Sequence, residues 1–233
     1  MKIALLGYGK MGQVIERIAL ERGHEIVLKK TSTTSYEGLE HADVAIDFSV
    51  PNAAVVNITT CLNQGIPVVS GTTGWLSHYP NIVTLCTEKG GAFLYGSNFS
   101  LGVNLFFELN TYLAKMMSKF NSYHVSMEEI HHTQKLDKPS GTAITLAESI
   151  VQNTGLSNWT IEQPTTDSLY IDVQRIEDVP GTHSVTYNSD VDYIEIKHVA
   201  HNREGFALGS IVAAEWIFGK QGVFSMKDVL DLK

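Results

Sequence analysis

Short apolar runs alternate with amphipathic stretches along the amino-terminal half of the chain. Lys2 to Leu6 is apolar, Gly7-Tyr8-Gly9-Lys10-Met11-Gly12 follows, and Val14, Ile15, Ile18 and Ala19 recur at helical spacing as far as Gly23. That order predicts strand, glycine turn and helix. A second strand is predicted over Glu25 to Lys29, a buried strand over Asp43 to Phe48, and a helix over Pro51 to Gln64 that its proline opens. Ile66 to Ser70 and Ala92 to Tyr95 read as further strands, with helical pattern between them. Strands that alternate with helices in this way build a parallel, doubly wound sheet, so the expected class is α/β and Rossmann-like.

The second half reads differently. Residues 101 to 120 predict an amphipathic helix whose stripe of Leu101, Leu105, Leu109, Tyr112, Leu113 and Met116 is expected to face the core. A short strand from His124 to Ile130 follows, then a polar segment, then a helix running from Ser140 to Asn153. Ile171 to Arg175, His183 to Tyr187 and Tyr193 to Val199 are β-rich, consistent with a mixed sheet.

Composition narrows the function. The 233 residues include 43% hydrophobic and 18% charged positions, enough for a substantial core. Seventeen Lys and Arg against 25 Asp and Glu leave a formal charge of -8, which argues against a nucleic-acid surface or anionic lipid as partner. No basic leader or bilayer-length apolar run is evident, and Cys61 and Cys86 lack metal-ligand spacing. A cytoplasmic protein with reduced thiols is expected.

An anionic ligand must therefore find local positive groups. In the opening turn, Gly7 permits a tight bend, Gly9 lets backbone approach a pyrophosphate, and Gly12 lets helix pack on strand. The unpaired amides of the helix start would face the phosphates. The acidic residue expected about twenty positions on is missing, because the second strand runs into Lys29-Lys30-Thr31-Ser32-Thr33. Lysines and hydroxyls, Lys30 and Thr31 among them, suit the 2'-phosphate of NADPH; a solvated strand end is the plainer alternative. Gly71-Thr72-Thr73-Gly74 reads equally as a ligand loop or an ordinary turn.

The densest chemistry lies in His131-His132-Thr133-Gln134-Lys135-Leu136-Asp137-Lys138-Pro139-Ser140-Gly141-Thr142-Ala143. Exposed amides at a helix start, with the Ser140 and Thr142 hydroxyls, suit a carboxylate. One coiled turn over 131 to 135 would bring His131 and Lys135 to the same side. The plainer reading makes the histidines solvent-facing and Ser140 a simple cap. Zinc on adjacent histidines is discounted, since no thiolate or His-x-x-x-His pattern accompanies them, and no metal is expected.

These residues resemble the dihydrodipicolinate reductase family, also described as 4-hydroxy-tetrahydrodipicolinate reductase, over nearly the whole chain. The resemblance is carried by the glycine turn, Asp47-Phe48-Ser49-x-Pro51, Gly71-Thr72-Thr73-Gly74, Asn98-Phe99-Ser100-x-Gly102-Val103-Asn104 and, most specifically, the His131 to Ala143 stretch. Gly181-x-His183-x-Val185 and His198-x-Ala200-x-x-Arg203-x-x-Phe206-Ala207 add to it. It implies a dinucleotide-binding domain over 1–100 and 203–233, closed by a helix from Phe206 to Phe218, and an inserted substrate-binding and tetramerisation domain over 101–202. It also implies a homotetramer, NADPH or NADH as cofactor, and a cyclic dicarboxylate imine as substrate on the bacterial route to lysine.

Carried over by position, the resemblance gives His131 and Lys135 the proton-donating roles. His132, with Lys135, Ser140, Gly141 and Thr142, would hold the substrate carboxylates. Gly7, Tyr8, Gly9, Lys10, Met11 and Gly12, with Gly71, Thr72, Thr73, Gly96, Ser97, Asn98 and Phe99, would contact the cofactor. Which of His131 and Lys135 donates stays open. The lysine pair departs from the family's acidic position, and the chain is short for the family. A different imino- or keto-acid reductase is the nearest alternative; a catalytically silent NAD(P)H sensor is the other, against which the intact His131, His132, Lys135 and Gly141-Thr142 count.

Overall fold

The computed structural model describes residues 1–202 and 204–232. Arg203, part of the carboxy-terminal motif quoted above, and Lys233 lie outside the described residues. The chain forms two compact units, Met1–Leu101 with Glu204–Lys233, and Gly102–Arg203.

The first unit carries β1 (Lys2–Leu6), α1 (Lys10–Glu21), β2 (Glu25–Lys30), β3 (Val44–Asp47), α2 (Pro51–Asn63), β4 (Val68–Ser70), α3 (Tyr79–Lys89) and β5 (Ala92–Tyr95). The second unit holds α4 (Leu101–Met117), β6 (His124–His131), α5 (Gly141–Asn153), β7 (Asn158–Thr160), β8 (Ser168–Arg175), β9 (Thr182–Asn188) and β10 (Tyr193–Val199). The chain then returns to the first unit as α6 (Glu204–Ile217), β11 (Gly222–Phe224) and α7 (Met226–Val229).

In the first unit the strands lie in the order β11-β5-β4-β3-β1-β2, every pair parallel. β1 is apolar at every position but its first because both faces of the sheet are covered. Ile3 and Leu5 pack with Ile15, Ala19, Ile211 and Ala214 of α1 and α6, whereas Ala4 and Leu6 pack with Ala54 and Ile58 of α2. The order reverses at β1, which β2 flanks on one side and β3 on the other, so the carboxyl ends of β1 and β3 lie at the switch point where open sheets of this kind bind ligands. α6 reaches the sheet through Gly209, where a Cβ would stand 1.7 Å from the Phe99 carbonyl oxygen.

In the second unit the order is β10-β9-β6-β8-β7, with β6 parallel to β8 and antiparallel to β9. α4 and α5 cover one face through Phe106, Leu113, Ala114, Leu146, Ala147 and Ile150, which meet Met127, Leu169, Ile171 and Val185.

The predicted stripe on α4 is not the buried one. Leu105, Leu109, Tyr112 and Met116 are exposed, and the buried face is Val103, Phe106, Asn110, Leu113, Ala114 and Met117. The helix is apolar nearly all round, so periodicity offered two stripes. Packing selected the one with small Ala114 and with Asn110, whose amide donates to the Leu146 carbonyl at 3.1 Å. β7, β11 and α7 escaped the sequence reading because three or four residues hold no resolvable period.

Candidate active site

In the first unit the glycine turn has the geometry its residues demand. Gly7 sits at φ +100, and a Cβ there would lie 2.2 Å from the Phe48 carbonyl oxygen. A Cβ on Gly12 would lie 2.4 Å from the Gly7 carbonyl oxygen, whereas one on Gly9 would meet nothing within 4 Å. Two glycines are thus needed for packing, and the third leaves an open approach to backbone. No side chain caps α1 at Gly9, so the dipole and amides of its first turn are available to phosphate oxygens. Tyr8 turns away, its hydroxyl donating to Glu16, while Lys10 is exposed and Met11 packs against the core.

The lysine pair at the end of β2 is split. Lys29 is tied to Glu16 at 2.5 Å and lies over the Tyr8 ring. Lys30 stands over the Tyr36 ring at 5.0 Å and donates to the Thr31 carbonyl at 2.5 Å, beside a Thr31–Thr33 hydroxyl contact of 3.2 Å. Of the pair, Lys29 is held by a carboxylate and Lys30 stays with the threonines.

Along the same strand ends, Asp47 at the close of β3 is fully buried. It accepts from Asn57 Nδ2 (2.8 Å), Ser49 Oγ (2.7 Å), Ser70 Oγ (2.9 Å) and Thr72 Oγ1 (2.7 Å). Burial pushes its carboxyl pKa up and those bonds pull it down. Thr72 also receives the Ser49 amide at 2.8 Å, so its hydroxyl ties two strand ends together and is turned from any ligand. Thr73 and Ser97 are exposed. A Cβ on Gly71 would stand 2.3 Å from the tip of the Phe48 ring, which would have to move, and a Cβ on Gly96 would stand 3.1 Å from the Phe99 ring. Asn98 accepts the Ser100 amide at 2.9 Å, and Phe99 is core, its ring centroid 5.7 Å from that of Phe48. Asn98 and Phe99 therefore shape this edge and offer a ligand chiefly their backbone.

In the second unit β6 alternates, and the alternation separates the two histidines. Met127, Glu129 and His131 point into the core, while His132 is half-buried and lines a cavity of about 260 Å³ with Thr133, Gln134, Glu177, Asp178, Val179, Pro180 and Asn202. A turn follows, the Lys135 amide donating to the His132 carbonyl at 3.1 Å. The Lys135 ammonium, 24% exposed, pairs with Asp137 at 2.8 Å. α5 then begins: Ser140 Oγ accepts the Ala143 amide at 3.2 Å, Thr142 is half-buried, and nothing stands within 4 Å of the place for a Cβ on exposed Gly141. Capping and an open helix end coexist.

Glu129 and Arg175 did not figure among the sequence candidates, and His183 figured only in a motif of the resemblance, without a role. Strand register places Arg175 opposite His131 and His183 opposite Glu129. Glu129 lies 3.7 Å from His131 Nδ1 and 3.8 Å from His183 Nε2, and His183 reaches Ser140 Oγ at 3.1 Å. Burial drives both imidazoles toward neutrality: His131 falls to about 4, with Lys135 and Arg175 also lowering it and Glu129 opposing, and His183 falls to about 3. Potential ligand atoms of Glu129, His131 and His183 lie within 4.8 Å of one another, but the Glu129 oxygens are engaged by Arg175 and the Ser140 amide. The signal in the sequence was the two-residue period that puts Glu129 on the face of His131.

A doubly wound parallel sheet with an uncapped glycine turn, followed by a mixed-sheet unit that sets lysine and histidine ahead of an open helix end, defines a Rossmann-like, nicotinamide-dependent oxidoreductase. Sequence models described as the amino terminus and the carboxy terminus of dihydrodipicolinate reductase match residues 1–99 and 102–230. The chain belongs to the dihydrodipicolinate reductase family. It is 56% identical, over 99% of its length and 98% of the relative's, to a 4-hydroxy-tetrahydrodipicolinate reductase of Christiangramia forsetii. It is 33% identical to one of Methanosarcina barkeri, over 97% of this chain and 83% of that one. Its fold is similar to that of a dipicolinate-bound dihydrodipicolinate reductase from Paenisporosarcina sp. TG-14, with a TM-score of 0.77, 21% identity and 97% of each chain covered. Among the described residues no helix is long and apolar enough to cross a membrane.

Proposed function

We propose that the chain reduces 4-hydroxy-tetrahydrodipicolinate to tetrahydrodipicolinate with NADH or NADPH, on the diaminopimelate route to lysine. The observation that carries this reading is the arrangement of Lys135 and His131 ahead of the open start of α5, in a chain of this family. The first unit is the dinucleotide-binding domain, with Gly7 to Gly12, Lys30, Thr31, Gly71 to Thr73 and Gly96 to Phe99 around the cofactor. The second is the substrate domain.

When bound, NAD(P)H would supply a hydride to the conjugated imine that remains once the ring's 4-hydroxyl has left as water. The chain must then offset negative charge that spreads over the ring and deliver one proton. Burial lowers the His131 pKa and so favours its neutral form, which in this reading leaves the Lys135 ammonium, paired with Asp137 at 2.8 Å, as the proton donor. Lys135, His132 and the amides and hydroxyls of Ser140 to Thr142 hold the two substrate carboxylates. Lys135→Ala lowers kcat by about 10² to 10⁴ while the thermal melt is retained; wild-type turnover in that variant would refute the assignment.

The reading extends to a cytoplasmic homotetramer. Both cysteines are free and buried, and edge strand β10 exposes Tyr193, Ile194 and Val199, as a strand covered by another subunit would. Sedimentation at about four times the 25.7 kDa chain mass supports the tetramer; a monomer at micromolar concentration contradicts it.

A further inference from the structure

The loop from His132 to Pro139 has no regular secondary structure of its own, yet it must hold Lys135 steady beside the start of α5. One buried guanidinium holds it. Arg175, its side chain 9% exposed, donates Nε to the Lys135 carbonyl at 3.3 Å and Nη2 to the Asp137 carbonyl at 2.6 Å. Nη1 reaches the Gln174 carbonyl at 2.8 Å, and both Nη atoms reach Glu129 Oε1 at 3.1 Å. The other Glu129 oxygen accepts the Ser140 amide at 2.9 Å. Two side chains on neighbouring strands therefore clamp three points of one loop: both carbonyls flanking Leu136 and the residue that caps α5.

We infer that Glu129 and Arg175 are positioning residues that fix Lys135 relative to the amino end of α5, and thereby set kcat without touching substrate. This inference rests on the function proposed above. The physical basis is the planar fork of arginine, whose fixed donors satisfy several acceptors in one geometry, whereas a lysine offers a flexible point charge. Breaking a buried pair by removing one partner leaves an uncompensated charge and destabilises the fold for that reason alone. Arg175→Lys, which keeps the charge, and the neutral double variant Glu129→Gln/Arg175→Gln separate the two effects.

Both variants should bind NAD(P)H with wild-type affinity, since the dinucleotide site lies in the other unit. In Arg175→Lys, kcat should fall about 10- to 100-fold, on the scale set by misplacing a catalytic group by about 1 Å, with a much smaller change in KM. Amide hydrogen exchange over 133–139 should quicken in both variants, while β6, β8 and β9 keep their protection. Unchanged exchange in that loop overturns the inference, and so does a kcat that follows only the melting temperature across the two variants. Exchange needs no turnover, so if the wild-type chain fails to reduce the substrate, the functional reading falls and the clamp is still tested.

Discussion

The glycine turn makes a prediction in which stability and cofactor binding come apart. A methyl group at Gly9 meets no protein atom within 4 Å, so Gly9→Ala costs the fold little, but it fills the space through which a pyrophosphate would approach the first amides of α1. A methyl at Gly12 meets the Gly7 carbonyl oxygen at 2.4 Å, against roughly 3.5 Å for atoms at optimal separation. Relief requires α1 or the turn to shift by about 1 Å, and overpacking of this kind costs about 1–3 kcal/mol. In a chain of this size that is a fall of roughly 2–4 °C in Tm per kcal/mol. The NADPH Kd, read by nicotinamide fluorescence, should rise about 10- to 100-fold in both variants, and a thermal melt should fall only in Gly12→Ala. Wild-type affinity in Gly9→Ala would refute the placement of the pyrophosphate at this turn.

Other outcomes follow from the same geometry. Thr72→Val removes one of the donors to buried Asp47 and strands the Ser49 amide, so it should lower stability by about 1–3 kcal/mol; a denaturant midpoint equal to wild type contradicts this. Lys30→Ala should weaken NADPH more than NADH, because Lys29 is already bound to Glu16; equal losses would remove the 2'-phosphate role. His131 and His183 have folded pKa values depressed from 6.5 to about 4 and about 3, so the unfolded chain takes up protons first as pH falls. Their contribution to stability is complete above pH 6.5 and is lost as pH falls, toward about 4 for His131 and about 3 for His183. A melting temperature that rises on acidification from pH 6.5 to 4.5 contradicts the burial argument.

Much of the sheet in the first unit was legible in the sequence because strands buried on both faces read as apolar runs, as Ile3 to Leu6 and Val44 to Ile46 do. α4 was legible as a helix but not in its orientation: an almost wholly apolar helix does not announce which stripe is core, and small Ala114 and bonded Asn110 decided it. At the candidate site, His131, Lys135 and Ser140 stood close together in the chain and announced themselves. Arg175 and His183 did not, because strand pairing brings them there from β8 and β9, and Glu129, two residues before His131 on β6, shows only through the strand period. Thr72 looked like a ligand contact, yet only the position of Asp47 shows that its hydroxyl is already spent.

The most direct measurement couples the purified chain to an enzyme that condenses pyruvate with aspartate semialdehyde, so that the unstable ring forms in place, and follows NADH or NADPH absorbance. Oxidation that requires both precursors, and that Lys135→Ala reduces at least a hundredfold, is the result expected. A folded wild-type chain that binds the dinucleotide yet oxidises none of it under these conditions would contradict the proposed activity.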